Sequence, residues 1–368
     1  GACSERKEAL TSTLDRSSPG QANEAKQVVL YSWDEYFNEE LFTEFEERTG
    51  IEVIYETFED SEEMQERLKS SPGAYDVVVV DEVTTAQLME KRLLTSLDRT
   101  RLTNFQNLAP RYLYDTEGKD PGNRFSVPYT WGTTLIAYRS DKIEDPQRNW
   151  SLLYSEDYAN KCAMIKEPQE CYAAALLHLG FDPNTNDPEE LEAAKNLLSK
   201  MVEEHGLRFG SDNNMKELLK SGEAWVVAMY SGDAALIADE AEDENIDFFI
   251  PSEGAIMWID NFVIPRDSER TSEAHAFINF MLEAEVAAES SNFLWYATPN
   301  EAASPYLNEE LVSDERIYPP AEVLDRCTFL NLLPTQTERL INQGWAEVQR
   351  SYLQKSANKR VAKSATEE

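Results

Sequence analysis

The chain has 368 residues, 41% of them hydrophobic and 10% aromatic, which is enough for two sizeable domains. Lys and Arg number 34 against 69 Asp and Glu, a formal net charge of −35. That excludes nucleic acid as a natural partner, since phosphates need clustered basic residues, and suits either a gatherer of cations or a solvated surface in a saline habitat.

No apolar run approaches the ~18–20 residues of a membrane span. The first three residues, Gly1-Ala2-Cys3, resemble the end of a bacterial lipobox, whose Cys is acylated after export. The polar stretch that follows reads as a flexible tether, so residues 1–26 are expected to link an anchored Cys3 to the folded part.

From Gln27 the pattern alternates strand and helix. Val28 to Tyr31 is a short apolar strand. Asn38 to Arg48 is helical, with Leu41, Phe42 and Phe45 on one face and Gly50 as a stop. Ile51 to Tyr55 alternates as a second strand, Glu62 to Ser70 is a helix, and Tyr75 to Val80 is a buried strand. Thr84 to Glu90 is a third helix. This βαβαβ order predicts a parallel sheet whose ligands sit at the carboxyl ends of the strands. Trp33 and Tyr36 follow the first strand and Asp81 and Glu82 the third, so both groups lie on that edge.

Phe125 to Tyr138 reads as two strands separated by a kink. A second α/β unit follows: Cys162 to Ile165 as a strand, a helix from about Gln169 to Leu179, and a long helix from Pro188 to His205. Met215 to Ser221 is a helix, Trp225 to Tyr230 a strand, and Ser231-Gly-Asp233 opens the next helix. Ile246 to Ile250 and Ile256 to Ile264 are strands. Helices over Ser272–Leu282, Glu285–Phe293 and Gly344–Leu353 follow, then a polar tail expected to be disordered over 356–368. The alternation exceeds one sheet, so two α/β lobes with a ligand between them is the expected architecture.

Reaction chemistry is sparse. No nucleophile elbow, dinucleotide fingerprint, phosphate loop or H-E-x-x-H zinc motif is present, and His178, His205 and His275 fall on helices without a nucleophile at useful spacing. No Cys/His spacing suggests a metal, and no cofactor is expected. Cys162 and Cys171 should lie ~15 Å apart at a strand rise of ~3.3 Å per residue, too far to bridge. A bridge from Cys327 to either stays open.

Binding chemistry is richer. Trp33 and Tyr36 are rings at a strand end, or else core aromatics capping the sheet. Glu167 and Glu170 stand three apart near a helix start and can face one way, or simply answer the helix dipole. Tyr230 ends a strand beside Asp233, which also suits helix capping. Trp258 and Asp260 share one face of an apolar strand, and an Asp there is costly unless paired. Rings that attract ammonium and flank methylenes, with carboxylates that pair charged ends, suit an organic polycation.

At these residues the chain resembles the spermidine/putrescine-binding proteins of ATP-driven polyamine importers. The likeness runs from about Val28 to Val348. Its specific segments are Tyr31-Ser-Trp-Asp-Glu-Tyr36, Ala74-Tyr-Asp-Val-Val-Val79, Val127-Pro-Tyr-Thr-Trp-Gly132, Gly222-Glu223, Trp258-Ile-Asp-Asn-Phe-Val-Ile-Pro265 and Tyr296-Ala-Thr-Pro-Asn300. The resemblance implies a two-lobed, type II periplasmic-binding-protein-like α/β fold with a hinge and an interdomain cleft. One lobe would be 27–130 plus 260–305 and the other 131–259 plus 306–355, hinged near Tyr129–Gly132 and Trp258–Asn261.

It implies ligand positions at Trp33, Tyr36, Glu167, Glu170, Tyr230, Trp258, Asp260 and Tyr296, with Glu167 where Asp is usual and Tyr230 where Trp is usual. The family's Ser-x-Tyr-like stretch after the third strand is replaced by Asp81-Glu82-Val83, which adds two acids and suggests a longer or more highly charged cation than putrescine. A late polar contact falls near Phe329 to Asn331 without a residue that aligns. The resemblance further implies no reaction, a monomer in the periplasm or otherwise outside the cytoplasm, ABC permease partners, and a membrane link through Cys3. Another amine such as agmatine, or polyamine sensing without transport, are the alternatives.

Overall fold

A computed structural model of the chain describes residues 25–114, 119–241 and 245–367. Cys3 and the expected tether up to residue 24 lie outside the described residues. In strand β1 (Gln27–Trp33) Val28 to Tyr31 are all buried, as in a strand covered on both faces. Helix α1 (Glu40–Thr49) turns Leu41, Phe42 and Phe45 inward. Strand β2 (Glu52–Phe58), helix α2 (Ser61–Ser70) and strand β3 (Val77–Asp81) follow, with β2 and β3 parallel to β1 on either side. Helix α3 (Glu82–Glu90) starts directly from β3, capped by Asp81, which accepts the Thr84 N–H at 2.7 Å.

A short helix α4 (Pro110–Tyr114) leads to strand β4 (Ser126–Arg139), 14 residues long. The sequence suggests two strands here. The structure keeps one, with the irregularity reduced to a register shift between Pro128 and Thr130. A proline has no N–H for the ladder, and a bulge is where a central strand tolerates one.

The second lobe is built from β5 (Cys162–Ile165), α5 (Pro168–Leu179), α6 (Pro188–His205), β6 (Arg208–Gly210), α7 (Asp212–Ser221), β7 (Val226–Tyr230), α8 (Ser231–Glu240) and β8 (Ile246–Phe249). Strand β9 (Ile256–Val263) returns to the first lobe, where α9 (Thr271–Met281) and α10 (Ala284–Leu294) pack. Short helices α11 (Glu309–Val312) and α12 (Ala321–Leu324), strand β10 (Thr328–Phe329) and the long α13 (Thr335–Thr366) complete the described chain.

The sheet runs β2-β1-β3-β9-β4-β7-β5-β6, with β8 beside β4 and β10 beside β9. Strands β9 and β4 are antiparallel and shared. β4 pairs with β9 from Ser126 to Thr134 and with β7 from Thr134 to Tyr138. The fold is thus two-lobed α/β, the lobes joined by two continuous strands.

Each lobe has its own interior. In the first, Phe45 and Phe277 fill one face of the sheet, while Met64, Leu68 and the stacked rings of Tyr31 and Tyr75 fill the other. In the second, Trp150, Tyr172 and Leu198 lie under α5 and α6, and α13 adds Ile341, Trp345 and Val348. The tail expected to be disordered is instead a continuation of α13, which runs helical to Thr366. Its later residues are exposed, Leu353 and Val361 included. The sequence signal there is weak because nothing packs on that stretch to impose an apolar stripe. Cys162, Cys171 and Cys327 are free thiols, so the bridge left open for Cys327 is not formed.

Candidate functional site

The topology gathers strand ends from both lobes. Asp81 closes β3 and stands directly opposite Asp260 of β9 in the antiparallel register. Tyr230 closes β7 opposite Thr134 of β4. Glu167 and Glu170 come from the turn after β5 and the start of α5.

Asp260 is buried, and the Tyr36 hydroxyl donates to its Oδ2 at 2.5 Å while also touching Thr130 Oγ1. Tyr36 is fixed from behind: its carbonyl accepts from the Tyr129 hydroxyl at 2.9 Å, and its ring meets Tyr129 edge-on at 5.5 Å. The rings continue from Tyr36 to Tyr296 at 5.7 Å, from Tyr296 to Trp258 at 5.4 Å and from Trp258 to Tyr230 at 5.5 Å. The Trp258 indole N–H is buried with no hydrogen-bond partner among the described residues.

Two glycines make the close packing of this chain of rings workable. A Cβ on Gly232 would lie 2.5 Å from ring atoms of Tyr296, and one on Gly132 would lie 2.9 Å from the Trp258 ring. Trp33 is not in this group. Its ring packs on Phe58 at 4.6 Å, at the rim of the first lobe.

Asp260 and four further carboxyls, Asp81, Glu82, Glu167 and Glu170, form one group. Burial pushes Asp260, Glu170 and Glu82 each up to about 8, against ordinary values of 3.8 to 4.5. The Tyr36 bond opposes the rise at Asp260, while Asp81 and Glu170 reinforce it. Glu170 gains a 2.6 Å bond from the Thr134 hydroxyl, again outweighed by burial. Glu167 is driven up by burial and then by Glu170 and Asp81, and burial raises Asp81 despite its bonds to Thr84.

Asp81 and Glu82 also work locally. The first caps α3, and the second accepts the Ile259 N–H at 2.9 Å. Lys119 lowers both of their pKa values and is the cation nearest to offsetting the pair. Carboxyls that raise one another in a largely enclosed setting are stabilised as charged groups only by a proton or a nearby cation.

Residues 40–319 match the family described as bacterial extracellular solute-binding proteins. The chain belongs to that family. It is 32% identical over 356 residues to a putrescine-binding periplasmic protein, SpuD, of Pseudomonas aeruginosa (strain UCBPP-PA14), covering 92% of this chain and 96% of the relative. A spermidine/putrescine-binding periplasmic protein of Escherichia coli (strain K12) is 34% identical over 317 residues, 85% of this chain and 89% of that one. Among solved structures, a putative spermidine/putrescine ABC transporter protein from Listeria monocytogenes superposes with a TM-score of 0.81 at 32% identity, covering 88% and 99% of the two chains.

This solute-binding protein has further residues at the site that the sequence reading left aside. The Tyr296 hydroxyl donates to Asp233 Oδ2 at 2.5 Å, so Asp233 is tied to the rings rather than serving only as a helix-start acid. Lys216 reaches Asp233 at 3.4 Å and Glu35 at 3.2 Å. Asp212 lies in the same cluster, raised by burial and by Asp233. The sequence signal for it was Ser211-x-x-Asn214, a capping box that starts α7 at Asp212, three residues before the expected Met215.

Two outcomes follow from the geometry. Gly232→Ala should displace the Tyr296 ring and break its bond to Asp233, costing about 1–3 kcal/mol as overpacking does. Thermal unfolding and near-UV circular dichroism check this, and an unchanged tyrosine signal would contradict it. Second, Asp260, Glu170 and Glu82 hold more protons folded than unfolded between about pH 4 and about 8. Stability of the unliganded protein should therefore fall as pH rises through that window. The double variant Asp260→Asn, Glu170→Gln should show a shallower fall in a series of melting temperatures, and an identical slope would contradict the assignment.

Proposed function

We propose that the protein captures a polyamine between its two lobes and delivers it to an ABC permease. The carrying observation is Asp260: a carboxyl buried in the shared strand β9, bonded among the described residues only by Tyr36, walled by rings and faced by further acids. An alkyl polyammonium matches each part. Its methylenes lie on Tyr36, Tyr230, Trp258 and Tyr296, one ammonium pairs with Asp260, and the other end pairs with Glu167 and Glu170. Trp33 closes the rim. Asp81 and Glu82, partly engaged with their own backbone, add negative potential more than direct contacts.

The names of the relatives support the polyamine class, and they are names of binding proteins, so an enzyme acting in this cleft is set aside. The lobes in this reading are 27–130 with 260–305, and 131–259 with 306–355. They close by bending where β4 and β9 cross between them, at Tyr129–Gly132 and Trp258–Asn261. A monomer outside the cytoplasm, held by a lipid on Cys3, completes the reading. Its support is the family's extracellular character and the Gly1-Ala2-Cys3 segment.

Calorimetric titration with putrescine, spermidine, spermine and agmatine tests the site. One-to-one binding is expected, weakened at least tenfold in Asp260→Ala, because removing one partner of a desolvated charge pair costs about 2–5 kcal/mol. Binding near pH 7 should release protons from the raised carboxyls, seen as heats that change with the buffer's ionisation enthalpy. Absence of binding by all four amines would sink the ligand class. Mass spectrometry of the Cys3 peptide from native membranes should show a diacylglyceryl adduct, and an unmodified Cys3 would remove the anchor.

A further inference from the structure

The cleft already contains one ammonium of its own. Lys216 rises from α7 in the second lobe, is 8% exposed, and points its Nζ at Asp233 (3.4 Å) and at Glu35 (3.2 Å) of the first lobe. Burial alone would pull Lys216 down, but Asp233, Asp212 and Glu35 outweigh it and keep the amine charged. Asp233 is not peripheral. Its other oxygen holds the Tyr296 hydroxyl, and the Tyr296 ring touches both Trp258 and Tyr36. Asp212 Oδ1, one turn before Lys216, is buried and finds no hydrogen-bond donor among the described residues. The cluster therefore has an acceptor left over even with Lys216 in place.

An ordinary interlobe latch explains this poorly. Glu35 is 69% exposed on its side chain, so its half of the contact is screened by water and contributes little. The more shielded half is the Lys216–Asp233–Asp212 group, whose Asp233 side chain is 16% exposed. There the lysine does what a ligand would do: four methylenes and an ammonium are the whole of putrescine apart from its second ammonium.

We propose that Lys216 is a built-in cation, filling an anionic subsite made by Asp212, Asp233 and Glu35 and so limiting how much positive charge the cleft accepts from its ligand. The selectivity part of this rests on the polyamine reading above; the occupancy part does not. With Lys216 present, the acids around Asp260 are the ones open to an incoming amine. Without it, a longer polyamine can place a further ammonium against Asp233.

Two measurements test it. The first compares n-butylammonium with tetramethylammonium, which has no N–H to donate, as thermal stabilisers of wild type and Lys216→Ala. The vacated subsite should bind n-butylammonium at least tenfold more tightly in the variant than wild type does, with no such gain for tetramethylammonium. Lys216→Gln carries the same comparison should the alanine variant not fold. The second measures the spermidine-to-putrescine affinity ratio in wild type and Lys216→Met, where a shift toward spermidine of about tenfold or more is expected, the scale of one partly buried charge pair.

No gain for n-butylammonium in a folded variant overturns the proposal. A gain together with an unchanged spermidine-to-putrescine ratio overturns its selectivity part. A gain in a protein whose wild type binds no polyamine leaves the built-in cation standing and overturns the polyamine reading instead.

Discussion

A carboxylate inside a sheet is an unstable thing to build, and the arrangement around Asp260 is best understood as the means of keeping one there. Its backbone is committed to two ladders, facing Asp81 on one side and Thr130 on the other. Its side chain accepts a single hydroxyl, from Tyr36, and the balance of burial against that bond leaves the group near a pKa of about 8. A carboxyl in that state can be neutralised in two ways, by a proton or by a cation. In the polyamine reading, the proton keeps the unliganded site tolerable and a ligand ammonium replaces it. The same logic extends to Glu170, held by the hydroxyls of Thr134 and Tyr230, and to Glu82, held by the backbone N–H groups of Ile259 and of Glu82 itself, with burial outweighing those bonds in both.

The position of these groups explains why two strands are shared between the lobes. Asp260 and Trp258 on β9, and Thr130 and Thr134 on β4, lie along the segment where those strands pair with each other. The site is thus built on the part of the molecule common to both lobes. The groups that face one another across the lobes in the polyamine reading, Tyr36 from the first and Tyr230 with Glu170 from the second, follow strand ends: Tyr36 just after β1, Tyr230 at the end of β7 and Glu170 in the first turn of α5. The bulge at Pro128 to Thr130 interrupts the ladder beside Asp260, and it delivers Tyr129 to brace Tyr36 and Phe37 from behind.

Most of the fold was legible because its elements are strongly patterned. Long helix α6 was read at its observed ends, Pro188 and His205, since Asp187, Pro188 and Gly206 punctuate it. Strand β5 was also read as found. The misses have local physical causes. β4 reads as two strands because Pro128 and Gly132 are breakers in isolation, and only pairing with β9 holds them in one strand. The end of α13 reads as disordered because its residues are polar and unpacked. At the site, Asp260 was legible as an acid inside an apolar run. Trp33 was read with Tyr36, but three residues and a turn with Glu35 at a positive φ of 53° send them to different surroundings. Lys216 and Asp212 could not be tied to Tyr296 by any local pattern, since what unites them is a contact between helices α7 and α8 and the segment after α10.

The net charge of −35 acquires a more specific meaning beside these contacts. A uniformly acidic surface draws any cation, and its long-range pull is weakened by salt over about 8–10 Å. In the polyamine reading, selection among cations comes from the few carboxyls that water reaches least, where screening is weak and geometry is fixed. In this protein Asp260 and Glu82 are buried, Glu167, Glu170, Asp212 and Asp233 are half-buried around them, and two lysines, Lys119 and Lys216, bear on the group. In that reading, the number of positive charges the ligand has to bring is the number of shielded carboxylates less those already matched by lysine and by protons. Changing one lysine alters that difference without touching a ring or moving a strand, which makes charge matching the most readily altered property of a cleft of this shape.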